Sequence, residues 1–346
     1  MKIAVLGAGR VGSTIGRPWH AAGHEVTFAA RRPARPRALA TELGERAHAA
    51  CIADAVAAAE VVLVAVPGPA VTGMLQAAGP LDGRIVIDAA NRFRQQPQLS
   101  LRSLADAFPQ AHWTRAFNSL SVDVMAADNQ RQPPWVLFLS GDEQAKPVVA
   151  QLIRDAGFDP VDLGGIDDGQ LQDPGSALWA YTLTRDEATT LVARIKSGDM
   201  AAADLVTAPF EKFRDHAPDD PAFFFEHLSH PVFEAGIWQV AQDKWDAIRE
   251  AFHGFDPAQV AAMTPAEITA TENNPRVIRN KAKIQATVGN AREILAILDS
   301  HGSIRAYLAS FPDAHAATAD MRRRFKFLGQ TGMWRLLTSA ARDIDG

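Results

Sequence analysis

The chain has a single cysteine, Cys51, in 346 residues. That excludes an internal disulfide framework and any zinc cluster built on several thiolates. Long apolar runs are missing as well. The first, Lys2-Ile3-Ala4-Val5-Leu6, is short and ends in glycine-rich turn residues. A membrane span needs about twenty apolar residues, so neither a span nor a secretory leader is expected. Nor is there an excess of one charge. The 35 Lys and Arg residues stand against 40 Asp and Glu, a net charge of −5, which offers no general attraction to nucleic acid or anionic membrane. There is no internal repeat and no low-complexity tract beyond alanine-rich stretches. A soluble protein of a reducing cytoplasm is the expectation. The length exceeds the size at which single cores stop growing, roughly 250–300 residues, so two domains are expected.

What is present begins at once. Lys2–Leu6 has the form of a buried parallel strand, and Gly7-Ala8-Gly9-Arg10-Val11-Gly12 follows in G-x-G-x-x-G spacing. A helix-capable segment, Ser13 to Ala22, comes next. Each glycine has a mechanical reading: Gly7 turns the chain sharply, Gly9 lets the backbone approach a pyrophosphate, and Gly12 lets helix and sheet pack closely. The phosphates would rest on free N–H groups at the positive end of the helix.

The second strand, Glu25 to Ala30, decides which dinucleotide. An NAD site usually places a carboxylate at this strand's end, on the ribose 2′-hydroxyl. Here the strand ends in Ala30-Arg31-Arg32, with Arg35 and Arg37 close behind. A guanidinium fork binds a 2′-phosphate that a carboxylate would repel, so the expected cofactor is NADP(H).

Alanine-rich Ala47–Ala59 is expected to be a helix. Strands follow at Glu60–Val66, stopped by Pro67, and at Gly83–Asn91, which puts Asp88 and Asn91 at a strand end. Trp113–Asn118 reads as a sixth strand and Trp135–Ser140 as another. This alternation predicts a doubly wound parallel α/β sheet over residues 1–185.

Asp88-Ala89-Ala90-Asn91, Arg115-Ala116-Phe117-Asn118, Ser140-Gly141-Asp142-Glu143-Gln144-Ala145-Lys146 and Gly157–Gly164 occur in order after the glycine motif. Together they resemble the NADP-binding domain of the coenzyme-F420-dependent NADP oxidoreductase family. The resemblance implies hydride transfer to a small imine, ketone or deazaflavin-type acceptor, F420 itself among the candidates. It places Gly7, Gly9, Arg10, Val11 and Gly12 on the pyrophosphate and Arg31 and Arg32 on the 2′-phosphate. Val66 and Pro67 fall beside the ribose, and Ala116, Phe117 and Asn118 near the nicotinamide. Ala30 replaces a hydroxyl residue of the family, which removes one phosphate hydrogen bond but no charge. Asp88, Asp173 and Tyr181 are the candidate proton donors, each with a plain structural alternative as a turn, cap or packing residue.

Residues 186–221 read as a helix and a proline-rich linker. From residue 222 to 346 the signals are helical throughout. Phe252–Met263, Val277–Ala286 and Gly289–Arg292, with Ala235-Gly236-Ile237-Trp238 before and Phe325-Lys326-Phe327-Leu328-Gly329 after, resemble DNA-3-methyladenine glycosylase I. That family is helical, carries a helix-hairpin-helix-type DNA element and excises a flipped base. This chain departs from it in three ways. Aligned on Ala235-Gly236, Pro231 stands where the family has its acidic pocket residue, with His230 before it. No cysteine follows Cys51, so the family's zinc is not expected. The hairpin reads Glu272-Asn273-Asn274-Pro275-Arg276, and proline withdraws an N–H from it.

Residues 207–346 hold 16 basic and 18 acidic residues, a net −2, where a duplex binder usually shows a basic face. Arg276, Arg279, Lys281 and Lys283, and Arg322-Arg323-Arg324, are the local exceptions. Phe223-Phe224-Phe225, Trp238, Trp245 and Trp334 read as core. The sequence thus predicts an NADPH-dependent reductase with a degenerate glycosylase-like domain used as lid, substrate-binding element or dimer contact, and DNA is not an expected partner. Two other readings remain open: a glycosylase with an NADP-sensing domain, and a non-catalytic NADP-dependent sensor.

Overall fold

The computed structural model describes residues 1–91, 100–174, 176, 178–179, 181–198, 204–234, 238–329, 332–333, 335–337 and 340. Ala235-Gly236-Ile237, Trp334 and the side chain of Trp238 lie outside them. The chain divides into two compact units, Met1–Gly198 and Asp199–Gly346.

The first unit opens with β1 (Lys2–Leu6), α1 (Arg10–Ala21), β2 (Glu25–Ala29) and α2 (Ala34–Leu43). Next come β3 (Ala47–Ala50), α3 (Ile52–Ala58), β4 (Val61–Val64) and α4 (Val71–Ala78). Then follow β5 (Ile85–Asp88), α5 (Leu101–Ala107), β6 (His112–Ala116) and α6 (Val122–Ala127). The unit finishes with β7 (Val136–Gly141), α7 (Lys146–Asp155), β8 (Asp159–Asp162) and α8 (Arg185–Ser197). The eight strands form one sheet in the order β3-β2-β1-β4-β5-β6-β7-β8. The order reverses between β1 and β4, the switch point at which open α/β sheets bind ligands. Fully buried strands such as Val61-Val62-Leu63-Val64 explain the continuous apolar runs, because helices cover both faces of the sheet.

The doubly wound α/β sheet is present as expected, with three local differences. Ala47–Ala59 is not one helix: Ala47–Ala50 forms edge strand β3 beside β2, and the Cys51 sulfur caps α3, accepting from Asp54 N. The sheet is not wholly parallel, since β7 runs antiparallel to β6. The helix assigned to the linker, α8, belongs to the first unit, where Arg185 pairs with Asp159 of β8 at 2.7 Å.

The second unit is helical. It runs through α9 (Asp204–His216), α10 (Pro221–Glu234), α11 (Trp238–Asp243) and α12 (Trp245–Ala251). The remainder is α13 (Pro257–Ala261), α14 (Pro265–Asn273), α15 (Lys281–His301), α16 (Ile304–Ala309) and α17 (Ala314–Arg324). Asp256, Thr264, Asn280, Ser303 and Asp313 cap α13 to α17 with their side chains, which sets each helix start by local chemistry. Of the aromatics read as core, Phe224 and Phe225 are buried and Phe223 and Trp245 half-buried, beside buried Phe233, Phe252 and Phe255.

The α14–α15 turn is tied from outside. Lys244 Nζ donates to the carbonyl oxygens of Pro275 at 2.6 Å and Val277 at 3.1 Å. Lys244→Met is expected to cost about 1.5 kcal/mol, the worth of a hydrogen bond from a charged donor, read as a shift in the urea midpoint at unchanged slope.

Candidate functional site

The glycine turn is built as its spacing demands. Gly7 has φ +112°, and a Cβ there would lie 2.3 Å from the Ala65 carbonyl oxygen of the strand next door. A Cβ on Gly12 would lie 1.9 Å from the Gly7 oxygen, so this glycine lets α1 cross the turn. Gly9 differs: a Cβ there would meet nothing within 4 Å. Its backbone caps α1 with no side-chain cap, and no acidic residue occupies the helix's first turn. That leaves the positive end of α1 ready for an anion.

Beside this turn lies a cavity of about 640 Å³. It is lined by Gly7, Ala8 and Gly9 of the turn, by Ala65, Val66, Pro67 and Met74, and by Ala30, Arg31, Arg32 and Arg35. The ends of β1, β2 and β4 thereby bring together residues far apart in sequence. Among the described residues Arg31, Arg32 and Arg35 have no acidic partner, so three guanidinium groups meet the cavity with their charge uncompensated. The empty approach over Gly9, the bare helix end and the arginines fit a dinucleotide carrying an extra phosphate.

Arg10 stands apart from this cavity. Its guanidinium pairs with Asp123 in the first turn of α6, and the Asp123 side chain is buried. Val11 packs its side chain against the core and can offer a ligand only its backbone.

A second cluster forms at the ends of β5 and β6. Arg115 is 1% exposed and sits between two carboxylates. Its Nη1 donates to Asp88 Oδ2 at 2.6 Å, and its Nη2 pairs with Asp173. Asn91 Nδ2 donates to the Asn118 carbonyl at 3.0 Å, and Asn118 Nδ2 donates to the Gln172 carbonyl at 2.6 Å. Phe117 takes φ +62°, a conformation uncommon for a bulky residue, and meets the Trp19 ring edge-on at 5.4 Å. So Asp88 and Asp173, proposed separately as acids, are joined by one guanidinium. Tyr181 is buried, and burial pushes its phenol pKa up. Met74, Asp123 and Gln172 were missed by sequence reasoning. Arg115 carried a readable signal, since a charge inside an apolar strand needs buried partners.

In the second unit, His230 stacks on Trp245 with centroids 3.7 Å apart and bonds Glu234 at 3.0 Å. Trp245 Nε1 donates to Glu226 at 3.0 Å. Burial lowers the Lys283 pKa, with Glu234 opposing, and its Nζ donates to the Phe233 carbonyl at 2.9 Å. Four of the seven residues of the basic patches form ion pairs among the described residues. Arg276 pairs with Glu250, Lys281 with Glu272, and Arg323 and Arg324 with Asp320. Among the described residues there is no group of His, Cys, Asp and Glu suited to a metal ion, and no helix long and apolar enough to cross a membrane.

Comparison with known proteins accounts for both halves. The family model for NADP oxidoreductase, coenzyme F420-dependent, matches residues 2–92, and that for methyladenine glycosylase matches residues 215–332. A DNA-3-methyladenine glycosylase of Haemophilus influenzae is 30% identical over 142 residues, covering 35% of this chain and 77% of that protein. Metalloreductase STEAP3 of Rattus norvegicus is 29% identical over 169 residues, 48% of this chain but only 34% of that protein. A solved structure of hypothetical protein SMa0349 from Sinorhizobium meliloti is 32% identical, with a TM-score of 0.49, covering 54% of this chain and 96% of that one. Through its C-terminal half the chain belongs to the methyladenine glycosylase family, and that half follows a reductase-like, NADP-binding domain.

Proposed function

We propose that the chain is an NADPH-dependent oxidoreductase that passes hydride to a small acceptor, and that its helical half keeps the glycosylase fold without excising bases. The observation that carries this reading is the cavity of about 640 Å³ lined by both the glycine turn and Arg31, Arg32 and Arg35. Gly7 and Gly9 would hold the pyrophosphate, with Gly12 letting α1 approach beneath them, and the arginines the 2′-phosphate. When bound, the cofactor supplies the hydride, and the protein supplies orientation and exclusion of water. The acceptor is a small imine, ketone or deazaflavin such as F420, and a homodimer is one arrangement that would complete the site.

Titrating the purified protein with NADPH and NADH tests the reading. Binding of NADPH well ahead of NADH is expected; no NADPH binding, or preference for NADH, would sink it. Gly9→Ala separates cofactor contact from folding. The added methyl meets no protein atom, so the thermal midpoint should hold. NADPH affinity should fall roughly tenfold, as for losing one charge-assisted hydrogen bond of about 1.5 kcal/mol.

A glycosylase reading draws on the identity with the Haemophilus influenzae protein. It predicts release of 3-methyladenine from alkylated DNA and binding to abasic DNA that weakens steeply with salt. The paired state of Arg276, Lys281, Arg323 and Arg324 argues against it.

A further inference from the structure

Arg10 follows Gly9 in the glycine motif, yet its side chain does not line the cavity. It stands in the first turn of α1, where a cation opposes the positive end of the helix dipole. Its answering charge is Asp123 in the first turn of α6, 113 positions further on. The Asp123 side chain is 6% exposed, and among the described residues Arg10 is its one charged partner. Drawing the guanidinium away toward a phosphate would leave a buried carboxylate without its counter-charge, the costly way to break such a pair. The guanidinium is therefore committed to Asp123.

A second contact stands beside this pair. Trp19 of α1 meets Phe117 edge-on at 5.4 Å. Val11, Val122 and Val124 pack against the same buried core as Phe117, Leu120 and Met125. Helix α1 thus holds both ends of the β6–α6 loop: Phe117 where β6 ends, and Asp123 where α6 begins. Phe117 keeps φ +62° within that loop. A bulky residue stays in so sparsely populated a conformation only when its surroundings impose it, and such residues gather at functional sites. The loop leaves β6 at the carboxyl edge of the sheet, since β6 runs parallel to β5. A dinucleotide spans the switch point at that edge, with one nucleotide on each half of the sheet. With the 2′-phosphate end on the arginines after β2, the nicotinamide half falls on the side of β4, β5 and β6.

We propose that Arg10 is a positioning residue: paired with Asp123, it holds the β6–α6 loop against the glycine turn, and that loop seats the nicotinamide half of the cofactor. This rests on the reductase reading and separates two tasks within one motif. Gly7 and Gly9 admit the pyrophosphate, while Arg10 fixes the place of the ring that gives up hydride.

The test uses the full chain and two probes, NADPH and ADP-ribose 2′-phosphate, which keeps the phosphates and lacks the nicotinamide. Calorimetry reads both affinities, and the emission of bound NADPH reports the surroundings of its dihydronicotinamide. Arg10→Gln and Asp123→Asn should each weaken NADPH about tenfold and leave ADP-ribose 2′-phosphate within about twofold. The double variant should be no worse than either single one, as for two residues that act as a pair. At saturating NADPH, each variant should move the bound emission toward that of free NADPH. Arg10→Lys keeps the charge and should restore part of the wild-type spectrum. If Arg10→Gln weakens both probes while Asp123→Asn spares them, Arg10 grips the pyrophosphate and the proposal is overturned. Variants that leave affinities and emission unchanged overturn it too, because the pair is then a structural tie only. So does a loss of both probes in both variants with a lowered thermal midpoint, since the pair then serves the fold as a whole. Failure of NADPH to bind the wild-type protein is seen before any variant is made and marks failure of the reductase reading itself.

Discussion

Replacing Arg31 and Arg32 together with alanine is expected to weaken NADPH binding by about 10²–10⁴-fold, taking about 1.5–3 kcal/mol for each charge-assisted contact to phosphate. NADH binding should change little, because NADH has no 2′-phosphate for these side chains to grip. The two arginines line the cavity that the glycine turn also lines, and among the described residues neither is paired with an acidic side chain. Arg35 lines the same cavity and survives in the double variant, which favours the lower part of the range. Arg31→Lys with Arg32→Lys should recover part of the loss, since an ammonium keeps the charge but not the planar fork. Fluorescence titration of both cofactors reads the outcome. An NADPH-to-NADH ratio unchanged by the double variant would show that the guanidinium groups do not meet the 2′-phosphate.

That prediction rests on residues close together in sequence, which is why the cofactor half was legible. β1, the glycine turn, α1 and the arginines after β2 are all set by local backbone chemistry. The missed elements depend on partners elsewhere. Ala47-His48-Ala49-Ala50 has alanine's helical preference and is extended only because it pairs with β2 at the sheet edge. Asp159-Pro160-Val161-Asp162 carries a proline that only an edge strand tolerates, and β8 pairs with β7 alone. β7 runs antiparallel to β6 although a connection containing α6 would equally serve a parallel crossover, and its own residues do not reveal the direction. The second cluster was legible only as separate residues, for the same reason. Arg115 meets Asp88 across 27 positions, and Gln172 reaches the Arg115 carbonyl across 57.

Arg115 is also where a single substitution should do most damage to the fold. Arg115→Met keeps much of the side chain's length and apolar stem but removes the guanidinium from Asp88, which is 0% exposed. Breaking a buried ion pair from one side costs about 3–5 kcal/mol, because the remaining carboxylate loses a counter-charge at 2.6 Å without regaining water. The pair also ties β5 to β6 and, through Asp173, to the segment after β8. The loss should therefore appear in hydrogen exchange of the Val86, Ile87 and Thr114 amides, while exchange in α15 of the helical unit should stay unchanged. Adding Asp88→Asn to Arg115→Met should return part of the stability, since the charge that Arg115 had answered is then gone. A single variant within about 1 kcal/mol of wild type would mean that the Asp88 carboxylate draws its stabilisation from its other neighbours, and that Arg115 is held in the sheet for the sake of the cluster it orders.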